Sequence, residues 1–201
     1  METKKGRRKM KKFELTTESI TNAAGKKLFR IKALVEFGDV KAGELGGYVE
    51  KEGNVSQDGN AWVYGNAWVS GDARVCGDAR VYGNARVFGN ARVSGDAWVS
   101  GDAWVSGDAW VYGNARVCGD AWVSGDADYT LIQGFGTEFR CTTFYRGKNK
   151  KIMVNCGCFH GDLEGFRKQV KETRSGKIAK EYLMIADLME YHFASEDSDD
   201  E

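Results

Sequence analysis

The chain has 201 residues, 26 glycines, no proline, and 29 basic residues balanced by 29 acidic ones. Zero net charge argues against a generic binder of polyanions. No apolar run is long enough to span a membrane, and no signal-peptide core follows the charged start. Five cysteines, an odd number, fit a reducing compartment, so the cytoplasm is the expected location.

Residues 1–12 are a basic arm, with Lys4, Lys5, Arg7, Arg8, Lys9, Lys11 and Lys12 against Glu2. Such blocks are expected to be solvated and disordered. Residues 13–44 predict a cap: Phe13–Ile20 and Lys27–Val35 form a hairpin around Asn22-Ala23-Ala24-Gly25, with Phe29, Ile31, Ala33 and Val35 alternating as a half-buried strand does. The stretch Glu36–Val49 then leads into a repeat.

Residues 63–128 repeat one six-residue pattern eleven times: Val-x-Gly-[Asp/Asn]-Ala-[Arg/Trp], beginning at Val63-Tyr64-Gly65-Asn66-Ala67-Trp68 and losing only its last letter at Asp128. In an extended run such as Ala-Trp-Val-Ser, Ala and Val share one face while Trp or Arg and the residue after Val share the other. Gly-Asp or Gly-Asn supplies a corner after each short strand. Three hexads per coil make a triangular prism with an apolar interior, and equivalent residues stack every 18 positions. Extended backwards on the same count, hexads begin at Leu45, Lys51 and Gln57. Leu45 then faces inward, Val49 and Val55 take the small-residue slot, and the repeat spans 45–128.

Val in the first position and Ala in the fifth, with Gly and Asp or Asn between, resemble the hexapeptide-repeat left-handed β-helix family. The resemblance implies a left-handed winding. The lead-in, roughly residues 28–70, is similar to uncharacterised acyltransferase-like β-helix proteins of enteric bacteria and phages, which implies a phage or prophage origin. After Asp128, Phe139–Tyr145 and Lys151–Phe159 predict two strands. Asp162–Thr173 and Ile178–Phe193 predict two amphipathic helices, the second with Ile178, Tyr182, Ile185, Met189 and Phe193 as its stripe. This ββαα module, residues 129–194, is similar to a C-terminal module of uncharacterised phage proteins. An acidic tail, 195–201, closes the chain. The expected fold is therefore mainly β: a left-handed parallel β-helix with an N-terminal β cap and a small α+β module.

Enzymes of the hexapeptide family use a histidine base, and its carbonic anhydrases hold zinc through three histidines. This chain has only His160 and His192, both outside the coils. No catalytic residue is assigned, and an atypical acyltransferase is the alternative. Repeated Asp72, Asp78, Asp96, Asp102, Asp108, Asp120 and Asp126 are corner residues and do not converge as calcium ligands must. Cys156, Cys158 and His160 fall on one predicted strand face, with Cys141 on the preceding strand as a fourth candidate zinc ligand. Zinc pairs usually sit on tight turns, however, so small packing cysteines are the reading adopted and no cofactor is expected.

All six tryptophans (Trp62, Trp68, Trp98, Trp104, Trp110 and Trp122) occupy the outward slot, alternating with Arg74, Arg80, Arg86, Arg92 and Arg116. Stacked by 18, one face reads Trp62, Arg80, Trp98, Arg116. The second reads Trp68, Arg86, Trp104, Trp122, and the third Arg74, Arg92, Trp110, Asp128. Two compatible readings stand: a cation–π surface ladder, and an interface, since Trp and Arg dominate binding hot spots. Trp68, Arg86, Trp104 and Trp122, with Trp98 and Trp110, are the interface candidates. Eight Asp against five Arg within 63–128 oppose nucleic acid on the ladder, leaving the Lys4–Lys12 arm as the one segment suited to it. The expected function is non-enzymatic binding of a protein partner, host-directed if the chain is phage-encoded, such as inhibition of a bacterial defence or regulatory protein. A self-assembling solenoid, as dimer or trimer, is the third alternative.

Overall fold

The computed structural model describes residues 10–138 and 140–194, so Lys4–Lys9 and Glu196–Glu201 lie outside the described residues. Strand β1 (Phe13–Thr21) and strand β2 (Lys27–Ala33) form the expected antiparallel hairpin. Its tip turns because Asn22 Oδ1 accepts the Ala24 and Lys26 amides at 3.0 and 2.9 Å, while Gly25 takes φ +75°. Strand β3 (Leu45–Val49) pairs antiparallel with β2 and parallel with the first coils, so the hairpin extends one wall of the solenoid.

The hexads form eleven two-residue strands, from Trp62–Val63 to Trp122–Val123, three per turn. Val63 pairs with Val81, Val81 with Val99 and Val99 with Val117, all parallel and 18 residues apart. The other two columns, Val69–Val87–Val105–Val123 and Val75–Val93–Val111, repeat the spacing. Every repeat Ala and Val from Ala61 to Val123 is at most 2 % exposed. Backbone bonds run along the axis even at the corners: Trp98 N donates to Ala115 O and Asp78 N to Gly95 O, both at 2.9 Å. Asn side chains join neighbouring corners, Asn84 Nδ2 to Asp102 Oδ1 at 3.0 Å and Asn90 Nδ2 to Asp108 Oδ1 at 2.9 Å. The chain is a β-solenoid because each hexad satisfies most of its polar backbone on the neighbouring coils.

The backward extension of the register is corrected by two residues. Val49 pairs with Val69 and Val55 with Val75, an offset of 20, whereas Trp62 pairs with Arg80 at 18. The corner Ser56–Ala61 absorbs the two additional residues. Gly47, not Val49, therefore fills the small-residue slot: a Cβ there would lie 2.4 Å from Ala67 O. Leu45, expected inside, is 47 % exposed.

The open first coil presents a carbonyl on each wall, and three different donors meet them. Tyr48 N–H donates to Ala67 O at 3.0 Å, Asn54 Nδ2 to Ala73 O at 2.9 Å, and Lys12 Nζ to Ala61 O at 2.9 Å. Lys12 is thus not part of a free arm: it is buried, and Lys11 pairs with Glu52 at 2.8 Å.

The C-terminal module has four strands, not two. Strands β15 (Tyr129–Phe135), β16 (Arg140–Arg146), β17 (Ile152–Cys156) and β18 (Phe159–Asp162) form an antiparallel meander, followed by helices α1 (Leu163–Thr173) and α2 (Gly176–His192). The expected strand Lys151–Phe159 breaks at Gly157, which takes φ +61°. Alternation gives the sheet two faces. Tyr129 and Tyr145 join the solenoid core; Phe144 and Val154 pack with Phe166, Ile185 and Met189 of the helices. Asp162 caps α1 by accepting Gly165 N at 2.9 Å.

Candidate functional site

The wall shared by hairpin and solenoid carries a continuous outward column. Its members are register partners in order: Arg30, Tyr48, Trp68, Arg86, Trp104 and Trp122. Arg30 lies 5.5 Å from the Tyr48 ring centre; Arg86 lies between two indoles, 5.8 Å from Trp68 and 4.9 Å from Trp104. The strand spacing of about 4.8 Å produces this stacking without special geometry, and each exposed contact contributes about 0.5–1 kcal/mol. Arg30 and Tyr48 were not among the residues singled out from sequence, because the first coil's two-residue offset hides their alignment with Trp68. Glu18 anchors the top of the column, accepting from Arg30 at 2.8 Å and Tyr48 Oη at 3.0 Å; these bonds hold its carboxyl below the usual range.

The alternation fails at the other end. Trp104 and Trp122 are direct neighbours, centroids 5.4 Å apart and tilted by 45°, with no register partner between them to supply a cation among the described residues. Trp122 is 43 % exposed. Two grooves flank the column. One, of about 650 Å³, lies under the hairpin tip and is walled by Ile20, Ala23 and Ala24 on one side and Trp68, Phe88 and Trp104 on the other. The second, of about 390 Å³, runs beside Trp104 and Trp122 and is edged by Asp102, Asp120 and Lys148.

The Trp98 wall differs. Its groove is larger, about 810 Å³, and lined by Asp78, Asp96, Asn114 and Asn155. Trp98 has a guanidinium on either side, Arg80 at 5.6 Å and Arg116 at 4.7 Å, so its faces are already occupied. Trp62, expected outward on this wall, is fully buried against Phe13 and Phe37. The cap covers it, and its Nε1 has no hydrogen-bond partner among the described residues. On the third wall Trp110 is 46 % exposed, stacks with Tyr112 at 5.5 Å and donates to Ser94 Oγ at 3.0 Å.

The single strand face expected for Cys156, Cys158 and His160 does not form. The turn at Gly157 places Cys156 opposite Phe159 and Asn155 opposite His160, so Cys156 faces the helices while His160 faces the solenoid. Cys156 Sγ accepts from Thr142 Oγ1 at 3.1 Å, and Cys158 is exposed at the turn. Cys141 lies beside Thr142 on the opposite face from Cys156, and burial pushes its thiol up. Among the described residues no three His, Cys, Asp or Glu side chains converge as metal ligands. His160 instead meets Tyr145 Oη at 3.0 Å, and that hydroxyl also donates to Cys118 O at 3.0 Å, at the joint between coil and module.

Four segments of the coil, residues 73–87, 79–91, 85–101 and 109–125, match the family model of the YdcK beta solenoid repeat. With the stacked hexads, the match defines a β-solenoid repeat protein. A comparison with curated proteins finds no match.

Proposed function

We propose that the chain is a non-enzymatic protein-binding module whose partner docks on the wall carrying Trp68, Arg86, Trp104 and Trp122. The unbroken Trp104–Trp122 pair, open to solvent between two grooves, carries this reading. Indole and guanidinium groups dominate interface energetics. The rigid coil holds them in place before a partner arrives, which lowers the ordering cost of binding. Left-handed winding, a phage origin and a host-directed inhibitory role belong to the same proposal and rest on the hexad and lead-in resemblances; a cytoplasmic site of action belongs to it too and rests on the five cysteines.

The test is capture of a partner from bacterial lysate by the parent and by Trp104→Ser, with Arg74→Ser on another wall as control. Loss with Trp104→Ser alone, amounting to about 2 kcal/mol or more of binding, is the expected result. Equal capture by all three removes this wall as the interface. The acyltransferase alternative would draw on the joint, where His160, hydrogen-bonded to the buried Tyr145, lines a groove of about 380 Å³ bearing Lys148 and Lys151. Acetyl transfer from acetyl-coenzyme A that disappears in His160→Ala would replace the binding reading.

A further inference from the structure

Helix α2 has two apolar faces, and the module uses only one. Tyr182, Ile185, Ala186 and Met189 are buried against α1 and the sheet. At 100° per residue the opposite line is Lys177, Lys180, Met184, Leu188 and Tyr191. Of these, Met184 is 61 %, Leu188 58 % and Tyr191 77 % exposed. The spacing of 184, 188 and 191 is that of a helix presenting anchors to another helix. The fold of the module does not account for them, because none belongs to either core.

We infer that this second face pairs with the same face of a second copy, the two α2 helices running antiparallel. The charge layout is self-complementary. Lys177 and Lys180 stand at the start of the stripe, and Lys180 has no ion-pair partner among the described residues. Beyond its end the sequence continues with Glu196, Asp197, Asp199, Asp200 and Glu201. Antiparallel pairing brings the lysines of one protomer to the end of the partner helix that these acids follow, and it opposes the two helix dipoles favourably. With the twofold axis at Leu188, Met184 meets the partner's Tyr191, a thioether–aromatic contact made twice. A parallel pair would set lysine on lysine. The same acids disfavour an anionic membrane as occupant. The face is independent of the tryptophan wall.

Three side chains per protomer make a patch below the ~1,000 Å² typical of a stable interface, so the dimer is weak and concentration-dependent. Sedimentation velocity of the full chain from ~10 µM to ~1 mM covers the range such a patch reaches. The parent is expected to shift from monomer to dimer, less so at high salt because the end charges are screened. Leu188→Glu, at an exposed position, should weaken dimerisation roughly tenfold or more with an unchanged circular dichroism spectrum. Lys177→Glu/Lys180→Glu should weaken it too, and Trp104→Ser should leave it as in the parent. A parent that stays monomeric throughout the range overturns the inference, as does a dimer that survives Leu188→Glu. Dimerisation lost with Trp104→Ser instead moves self-association to the tryptophan wall and overturns it as well. Binding of the monomer to vesicles of phosphatidylserine, lost in Leu188→Glu, would assign the face to a membrane.

Discussion

Lys12 shows how one side chain closes a repeat. Its ammonium reaches Ala61 O at 2.9 Å and Gly59 O at 3.2 Å, standing in for the coil that would have preceded the first. Burial pulls its pKa down to about 8 from 10.5, outweighing the nearby Asp78 carboxylate. Between those two values the unfolded chain holds the proton that the folded chain has released, so stability rises with pH across the window; below about 8 the cost of the buried charge is present in full. The neutral amine keeps two N–H donors, one for each carbonyl. Relative to Lys12→Met, the parent should therefore gain on the order of 1–2 kcal/mol between about pH 8 and pH 10. Denaturant melts of both proteins at several pH values measure the difference, in which titrations common to both cancel. A constant difference would show that Lys12 is not held in this buried position.

At the scale of the element, the hexad works because its corner glycine does two things. Gly95 takes φ +68°, and a Cβ there would stand 3.0 Å from Gly113 N on the next rung. Gly95→Ala should therefore cost more than the roughly 1 kcal/mol of a left-handed conformation alone. Gly125 offers the contrast: φ is −151° and nothing lies within 4 Å of an added Cβ, so Gly125→Ala should melt like the parent. Paired thermal melts decide it, and equal destabilisation by the two would contradict the stacked-corner geometry. The same accounting explains the altered first coil, where Gly47 fits under Ala67 O and Asn54 supplies the donor that a regular strand would have provided.

Across the whole molecule one core runs from Phe13 of the cap through every coil to Tyr145 of the module, and a second lies between the module's sheet and helices. The joint is polar as well as apolar: Arg116 N donates to Thr143 Oγ1 at 3.0 Å, Lys148 N to Asp120 O at 2.9 Å, and Tyr129 Oη to Trp110 O. Because each coil is stabilised by its neighbours, a fault in the middle is felt at both ends. Val99→Asp buries an uncompensated charge at a fully enclosed position, costing several kcal/mol, and should unfold the coil. A Val99→Asp protein that melts like the parent would show that the residue does not face inward.

The repeat made the solenoid legible in the sequence, since Val and Ala at fixed positions leave one way to bury both. The Trp–Arg column followed from the same period, and Trp104 beside Trp122 could be read directly from an 18-residue step. Where the period is imperfect, the tertiary structure decided. The two additional residues in the corner Ser56–Ala61 shift Val49 from the small slot to the valine slot and bring Arg30 and Tyr48 into the column. The cap buries Trp62, although Gly59-Asn60-Ala61-Trp62 ends in the same Gly-[Asp/Asn]-Ala-Trp letters as the hexad that exposes Trp122. A local pattern records which way a side chain points but not what a distant segment lays over it. The turn at Gly157 separates Cys156 from His160 for a related reason: a strand pattern states alternation, and only the hairpin's pairing states where the chain reverses. The doubly apolar character of α2 is present in its residues, yet which face is covered depended on where the sheet stood.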